Sequence, residues 1–66
     1  MNQFELLKAE FGTLGRLSKL LDVGESAVYQ WVAREQIPTR HLAKIRELSE
    51  GRLTKEMLRP DLFAKD

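Results

Sequence analysis

Sixty-six residues and 7.6 kDa leave room for one small domain, spanning 1–66, in which folding hides only about 60% of the surface of the unfolded chain. The absence of cysteine excludes a disulfide framework and a thiolate metal site, so the core must come from apolar packing. With 42% hydrophobic and 32% charged residues the chain reads as globular rather than disordered, and eleven basic against ten acidic side chains are too balanced to announce nucleic acid. Its apolar runs are far too short for a membrane span or a signal h-region, and a cytoplasmic location is expected.

The apolar period is helical throughout, and no segment alternates as a strand would. Phe4, Leu7 and Phe11 fall at i, i+3 and i+7, which predicts a helix over about 2–11, opened by Asn2 with Glu5 in a capping-box-like pattern. Gly12 ends it. Leu14, Leu17 and Leu21 predict a second helix over 14–21, with the Thr13 hydroxyl as its cap. Asp22-Val23-Gly24 makes a turn, and Val28, Trp31 and Val32 give a third helix over 25–34. Pro38 is placed to open a fourth helix over 38–50, carrying Leu42, Ile45 and Leu48 inward, with Gly51 in the left-handed conformation that closes it. Thr54 caps a short fifth helix over 55–58, and Pro60 begins a tail, 59–66, that is partly irregular. The fold class is all-α with five helices.

The informative stretch runs from Thr13 to Trp31. Two short helices joined by a three-residue turn cross steeply, at about 90–120°, and bury their inner face against other helices. That inner face is Leu17, Leu21, Val23, Val28 and Trp31, with the small Ser18 at the closest approach. Glu25, Ser26, Tyr29, Gln30 and Ala33 are left on the outer side of the third helix. The outer strip starts at a helix N-terminus, which favours anions, and it carries side chains able to bond base edges. Charge is also uneven: residues 1–33 sum to −1 and residues 34–66 to +2. Arg34, Arg40, Lys44 and Arg46 face Glu35 alone in the segment 34–46, which suits phosphate contact or a solvated helix face.

These residues carry a resemblance. Thr13 to Trp31 resembles the helix-turn-helix of phage Cro repressors, and most of the chain, about 10–63, is similar to the Cro-like regulators of the YdaS family. The shared elements are Phe11-Gly12-Thr13, Ala27-Val28-Tyr29-Gln30-Trp31, the Ile37-Pro38 pair, and the ending from Thr54 through Leu58-Arg59-Pro60-Asp61-Leu62-Phe63. One departure is Asp22, at a turn position such motifs give to glycine, so a left-handed conformation is expected on a residue that tolerates it less well.

The resemblance implies a lambda-repressor-like fold and a sequence-specific regulator, a Cro-like phage or prophage repressor with helix 25–34 in the major groove of double-stranded DNA. It implies base contacts by Glu25, Ser26, Tyr29 and Gln30 and backbone contacts by Thr13, Arg34, Arg40 and Lys44. Gln30 suits adenine, and Glu25 either accepts from cytosine N4 or caps its own helix. A weak homodimer assembled on a pseudo-palindromic operator follows, its recognition helices about 34 Å apart, with Leu62 and Phe63 the dimer-facing pair. Relatives have also been labelled antitoxins, so the rival expectation is a protein-interaction module of a toxin–antitoxin system. An enzyme is not expected: the lone His41 has no nucleophile or second ligand and reads as a surface or phosphate-facing residue. Neither cofactor, metal, small-molecule substrate nor membrane partner is expected, and Trp31 is assigned to the core.

Overall fold

The computed structural model describes residues 2–63, which are helical with no strand among them. The order is α1 (Gln3–Phe11), α2 (Leu14–Leu21), α3 (Glu25–Arg34), a 3₁₀ turn (Thr39–His41) running into α4 (Leu42–Leu48), α5 (Lys55–Leu58) and α6 (Pro60–Phe63). Three side-chain caps start helices as the sequence suggested. Asn2 Oδ1 accepts from the N–H groups of Phe4 and Glu5 at 3.0 and 2.9 Å, Thr13 Oγ1 from Arg16 at 3.0 Å, and Thr54 Oγ1 from Met57 at 3.3 Å.

The fourth helix is shorter than the 38–50 expected. Pro38 keeps an extended backbone, with φ −57° and ψ 136°, so the path becomes helical only after it, and the first turn is 3₁₀, closed by His41 N–H on the Pro38 carbonyl at 3.1 Å. At the other end the helix closes at Ser49, whose N–H still bonds Ile45 O at 2.9 Å. Its hydroxyl donates to Arg46 O and accepts from Leu53 N, both at 3.0 Å, and the residue is fully buried. The left-handed residue at this end is Glu50 (φ 56°) as well as Gly51 (φ 85°). In the stretch read as a tail, α6 adds a helical turn in which the N–H groups of Leu62 and Phe63 share the Arg59 carbonyl at 3.0 Å; residues 64–66 lie outside the described range.

The core gathers one stripe from each long helix: Phe4, Leu7 and Phe11, then Leu14 and Leu17, then Val28 and Trp31, closed by Ile37, Leu42, Ile45, Leu53 and Leu58. The inner face read from the sequence is present, with Leu17, Ser18, Val28 and Trp31 buried and Leu21 and Val23 half-buried. Ser18 is satisfied locally by donating to Gly15 O at 2.6 Å. An ion pair of Arg52 with Glu10 ties the turn after α4 to α1 and holds the Glu10 carboxyl below its usual range, chiefly through the hydrogen bond.

Candidate nucleic-acid interface

α2, the turn Asp22–Gly24 and α3 follow one another as helix, turn and helix. Asp22 has φ 58° and ψ 46°, the left-handed conformation expected of it. The closure follows the Schellman pattern, Val23 N–H on Ser18 O at 2.9 Å and Asp22 N–H on Lys19 O at 3.2 Å, which fixes where α3 begins. α3 starts at Gly24 without a side-chain cap and is held inward by Val28 and Trp31. It runs ten residues, about 15 Å.

The outer strip of α3 is open. Glu25, Ser26, Tyr29 and Gln30 are all exposed, Tyr29 to 55%, and among the described residues none of these four side chains bonds to the protein. Their donors and acceptors are therefore free. Glu25 makes no side-chain capping bond at the start of α3; its carboxylate reaches across to α2 instead. A Cβ built on Gly15 would stand 3.1 Å from Glu25 Oε1 and 3.9 Å from Thr13 Oγ1. Thr13, exposed at the head of α2, and Glu25 thus meet around the bare backbone of Gly15, with the Thr13 hydroxyl proton still available to a partner.

The candidate cations lie on the end of α3, the 3₁₀ turn and α4. Arg40 and Lys44, exposed and four residues apart, stand at the 3₁₀ turn and the start of α4. Arg40 Nε donates to His41 Nε2 at 3.3 Å, and the His41 ring packs tilted against Trp31. His41, read from the sequence as a surface or phosphate-facing residue, is half-buried, and burial followed by the Arg40 charge holds its imidazole below the ordinary value. Arg34, four residues on from Gln30, lies at the far end of α3 from Glu25, beside a hollow shared with Asn2, Gln3, Gln36 and Asp61. Among the described residues Arg34, Arg40, Lys44 and Arg46 enter no ion pair, whereas Arg52 and Arg59 do.

Arg59 is the residue that sequence reasoning missed. It is buried, donates from Nη1 to the Ile37 carbonyl at 2.8 Å, and grips Asp61 with Nε to Oδ1 at 3.0 Å and Nη2 to Oδ2 at 2.8 Å. Its hydrogen bonds hold the Asp61 carboxyl below the usual range. The available signal was an arginine and an aspartate two apart inside the apolar run from Leu58 to Phe63. Of the two apolar residues assigned to a dimer face, Leu62 is exposed, while Phe63 is half-buried against the core with the Lys55 ammonium 4.9 Å over its ring.

Among the described residues no group of three acidic or histidine side chains could hold a metal, and no helix is long and apolar enough to cross a membrane. The family described as "Bacterial toxin YdaS" matches residues 5–66. Among solved structures the chain is similar to the Cro protein from the prophage element Xfaso 1 in Xylella fastidiosa strain Ann-1, at 29% identity and a TM-score of 0.84. That likeness covers 98% of this chain and 100% of that one. No curated protein matches the sequence.

Proposed function

The chain belongs to the YdaS family, a group of Cro-like fold, and from that premise we propose that it is a transcriptional regulator that reads double-stranded DNA through α3. The observation that carries this reading is the outer strip of α3. Four consecutive-turn side chains with free hydrogen-bonding groups stand exposed on a helix whose other side is fixed by Val28 and Trp31. Glu25, Ser26, Tyr29 and Gln30 address base edges in the major groove. Thr13, Arg40 and Lys44 hold the flanking phosphates, and Arg34 reaches the backbone at the other end of α3. One copy covers only a few base pairs, so a weak homodimer assembled on a pseudo-palindromic operator, with the exposed Leu62 at its interface, completes the reading.

A second reading draws on the word toxin in the family description: a module of a toxin–antitoxin pair whose partner is a protein. Exposed Leu20, Met57 and Leu62 would serve it.

Selection of bound duplexes from a random pool near physiological salt separates the two. Enrichment of two inverted half-sites about one helical turn apart supports the regulator, and Gln30→Ala or Tyr29→Ala then loses sequence preference. Binding without enrichment that collapses with salt is electrostatic attraction alone and sinks the regulator reading.

A further inference from the structure

The connector between α3 and α4 makes few bonds of its own. α3 closes with Glu35 N–H on Val32 O at 3.1 Å and Gln36 N–H on Trp31 O at 3.0 Å. Ile37 then turns its side chain fully into the core, and Pro38, which has no N–H, stays extended. The Ile37 carbonyl is left buried beyond the reach of any helical donor, and a buried carbonyl without a partner is costly. Arg59, twenty-two residues further on, supplies the donor at 2.8 Å. Its other two nitrogens, Nε and Nη2, grip both oxygens of Asp61, which balances the guanidinium charge. A lysine could not serve the carbonyl and both carboxylate oxygens at once, because its ammonium is a point and not a planar fork.

The consequence lies two residues downstream. The 3₁₀ turn and the start of α4 hang from Pro38, and they carry Arg40 and Lys44. The outer strip of α3 is held by Val28 and Trp31 in the core, and α3 meets the 3₁₀ turn where His41 packs on Trp31.

We propose that Arg59, braced by Asp61, is a positioning residue for DNA binding: it fixes the register of Arg40 and Lys44 relative to α3 through the Ile37 carbonyl. This rests on the DNA-binding reading above. It predicts a division of effects, since loosening the clamp disturbs phosphate contacts and leaves base reading in place.

The test uses the full chain and two duplexes, one selected and one scrambled, with affinity measured across a salt series at a temperature where circular dichroism shows each variant folded. Arg59→Lys is expected to weaken binding to both duplexes by a similar factor, keeping the selected-to-scrambled ratio. The slope of log affinity on log salt is expected to flatten by about 1.8, the value for two lost phosphate contacts. Asp61→Asn, which keeps the donor to Ile37 but frees the guanidinium, is expected to flatten it by about half as much. It carries the test alone if Arg59→Lys does not fold. A merely structural arginine would lower the melting temperature while folded molecules kept the parental slope, and that result overturns the proposal. A parent protein with no preference between the duplexes would overturn the DNA-binding reading itself, and this inference with it.

Discussion

The imidazole of His41 packs against the indole of Trp31, ring centroids 5.0 Å apart and planes tilted by 36°. Trp31 belongs to the buried side of α3, and His41 ends the 3₁₀ turn that leads into α4. The contact therefore brings the start of α4 against α3. Arg40 adds a second constraint, because its Nε donates to His41 Nε2, an atom that accepts only while it carries no proton.

This arrangement predicts a histidine-dependent limb in the stability profile. His41 titrates near 6.5 when unfolded and lower when folded, pushed down by burial and then by the Arg40 charge. Between those two values the unfolded chain binds the extra proton, so stability rises with pH across that window and is level above about 6.5. On acidification it falls from about 6.5 until the folded value is passed. Glu10 and Asp61, both held below their ordinary values of 4.5 and 3.8, act in a separate and more acidic window. Melting temperature measured at steps from pH 7.5 to 4 is expected to show both limbs. His41→Gln, which keeps an acceptor for Arg40 but does not titrate, is expected to remove the upper limb only. An unchanged upper limb in that variant would place its origin elsewhere.

A second prediction concerns three acidic residues in the left-handed region, Asp22, Glu35 and Glu50, which follow α2, α3 and α4. Each carries a Cβ where glycine is preferred, and a carboxylate close to the negative end of a helix. Glu35 (φ 56°) is the simplest to relieve, because among the described residues its only side-chain partner reaches its backbone: Gln3 Nε2 donates to Glu35 O at 3.1 Å. Glu35→Gly keeps that bond and removes both penalties, against some gain in unfolded-state entropy. A net stabilisation of about 0.5–1 kcal/mol is expected by denaturant unfolding. A loss of stability would mean that the Glu35 side chain contributes something its geometry does not display.

The left-handed residues also mark how far the sequence could be read. Asp22 was legible because it interrupts a known motif where glycine is usual. Glu35 and Glu50 were not, since glutamate carries no turn signal of its own, and at the second site Gly51 drew the assignment one residue downstream. The three long helices were legible from their apolar period and from Asn2 and Thr13. The start of α4 was misplaced because Pro38 favours the first turn of a helix locally, while the burial of Ile37 and the Arg59 bond hold the connector extended. That bond spans twenty-two residues and leaves no local pattern. The exposed strip of α3 could be found by subtracting the core face, whereas the contact of His41 with Trp31 depends on how α4 returns to α3.

Gly15 offers a test of the head of the interface. Glycine inside α2 costs about 0.5–1 kcal/mol relative to alanine, and what its bare backbone admits is the Glu25 carboxylate. A Cβ at 3.1 Å from Oε1 displaces only the far end of a flexible, exposed side chain. Gly15→Ala is therefore expected to stabilise the fold by about 0.5 kcal/mol in chemical denaturation. The same substitution made in Glu25→Ala, where nothing has to move, is expected to stabilise slightly more. Equal gains in both backgrounds would show that the carboxylate rests on Gly15 without any preference for it.

The last prediction separates reading from anchoring. Glu25 and Lys44 are both exposed and free of ion pairs among the described residues, yet the proposed contacts differ in kind. A carboxylate that accepts from cytosine N4 discriminates one base pair, so Glu25→Gln is expected to relax preference at that position by about 1 kcal/mol or more. It also removes a negative charge from the proposed DNA-facing strip, so affinity for unrelated duplexes is expected to rise. Lys44→Ala acts on a phosphate. It is expected to weaken every duplex by a common factor and to flatten the salt slope by about 0.9, leaving the order of preferred sequences intact. Binding of parent, Glu25→Gln and Lys44→Ala to a panel of single-base variants, at two salt concentrations, measures both effects together. If Glu25→Gln left the base preference untouched while raising affinity for all duplexes, Glu25 would be an electrostatic brake on binding and the cytosine contact would be refuted.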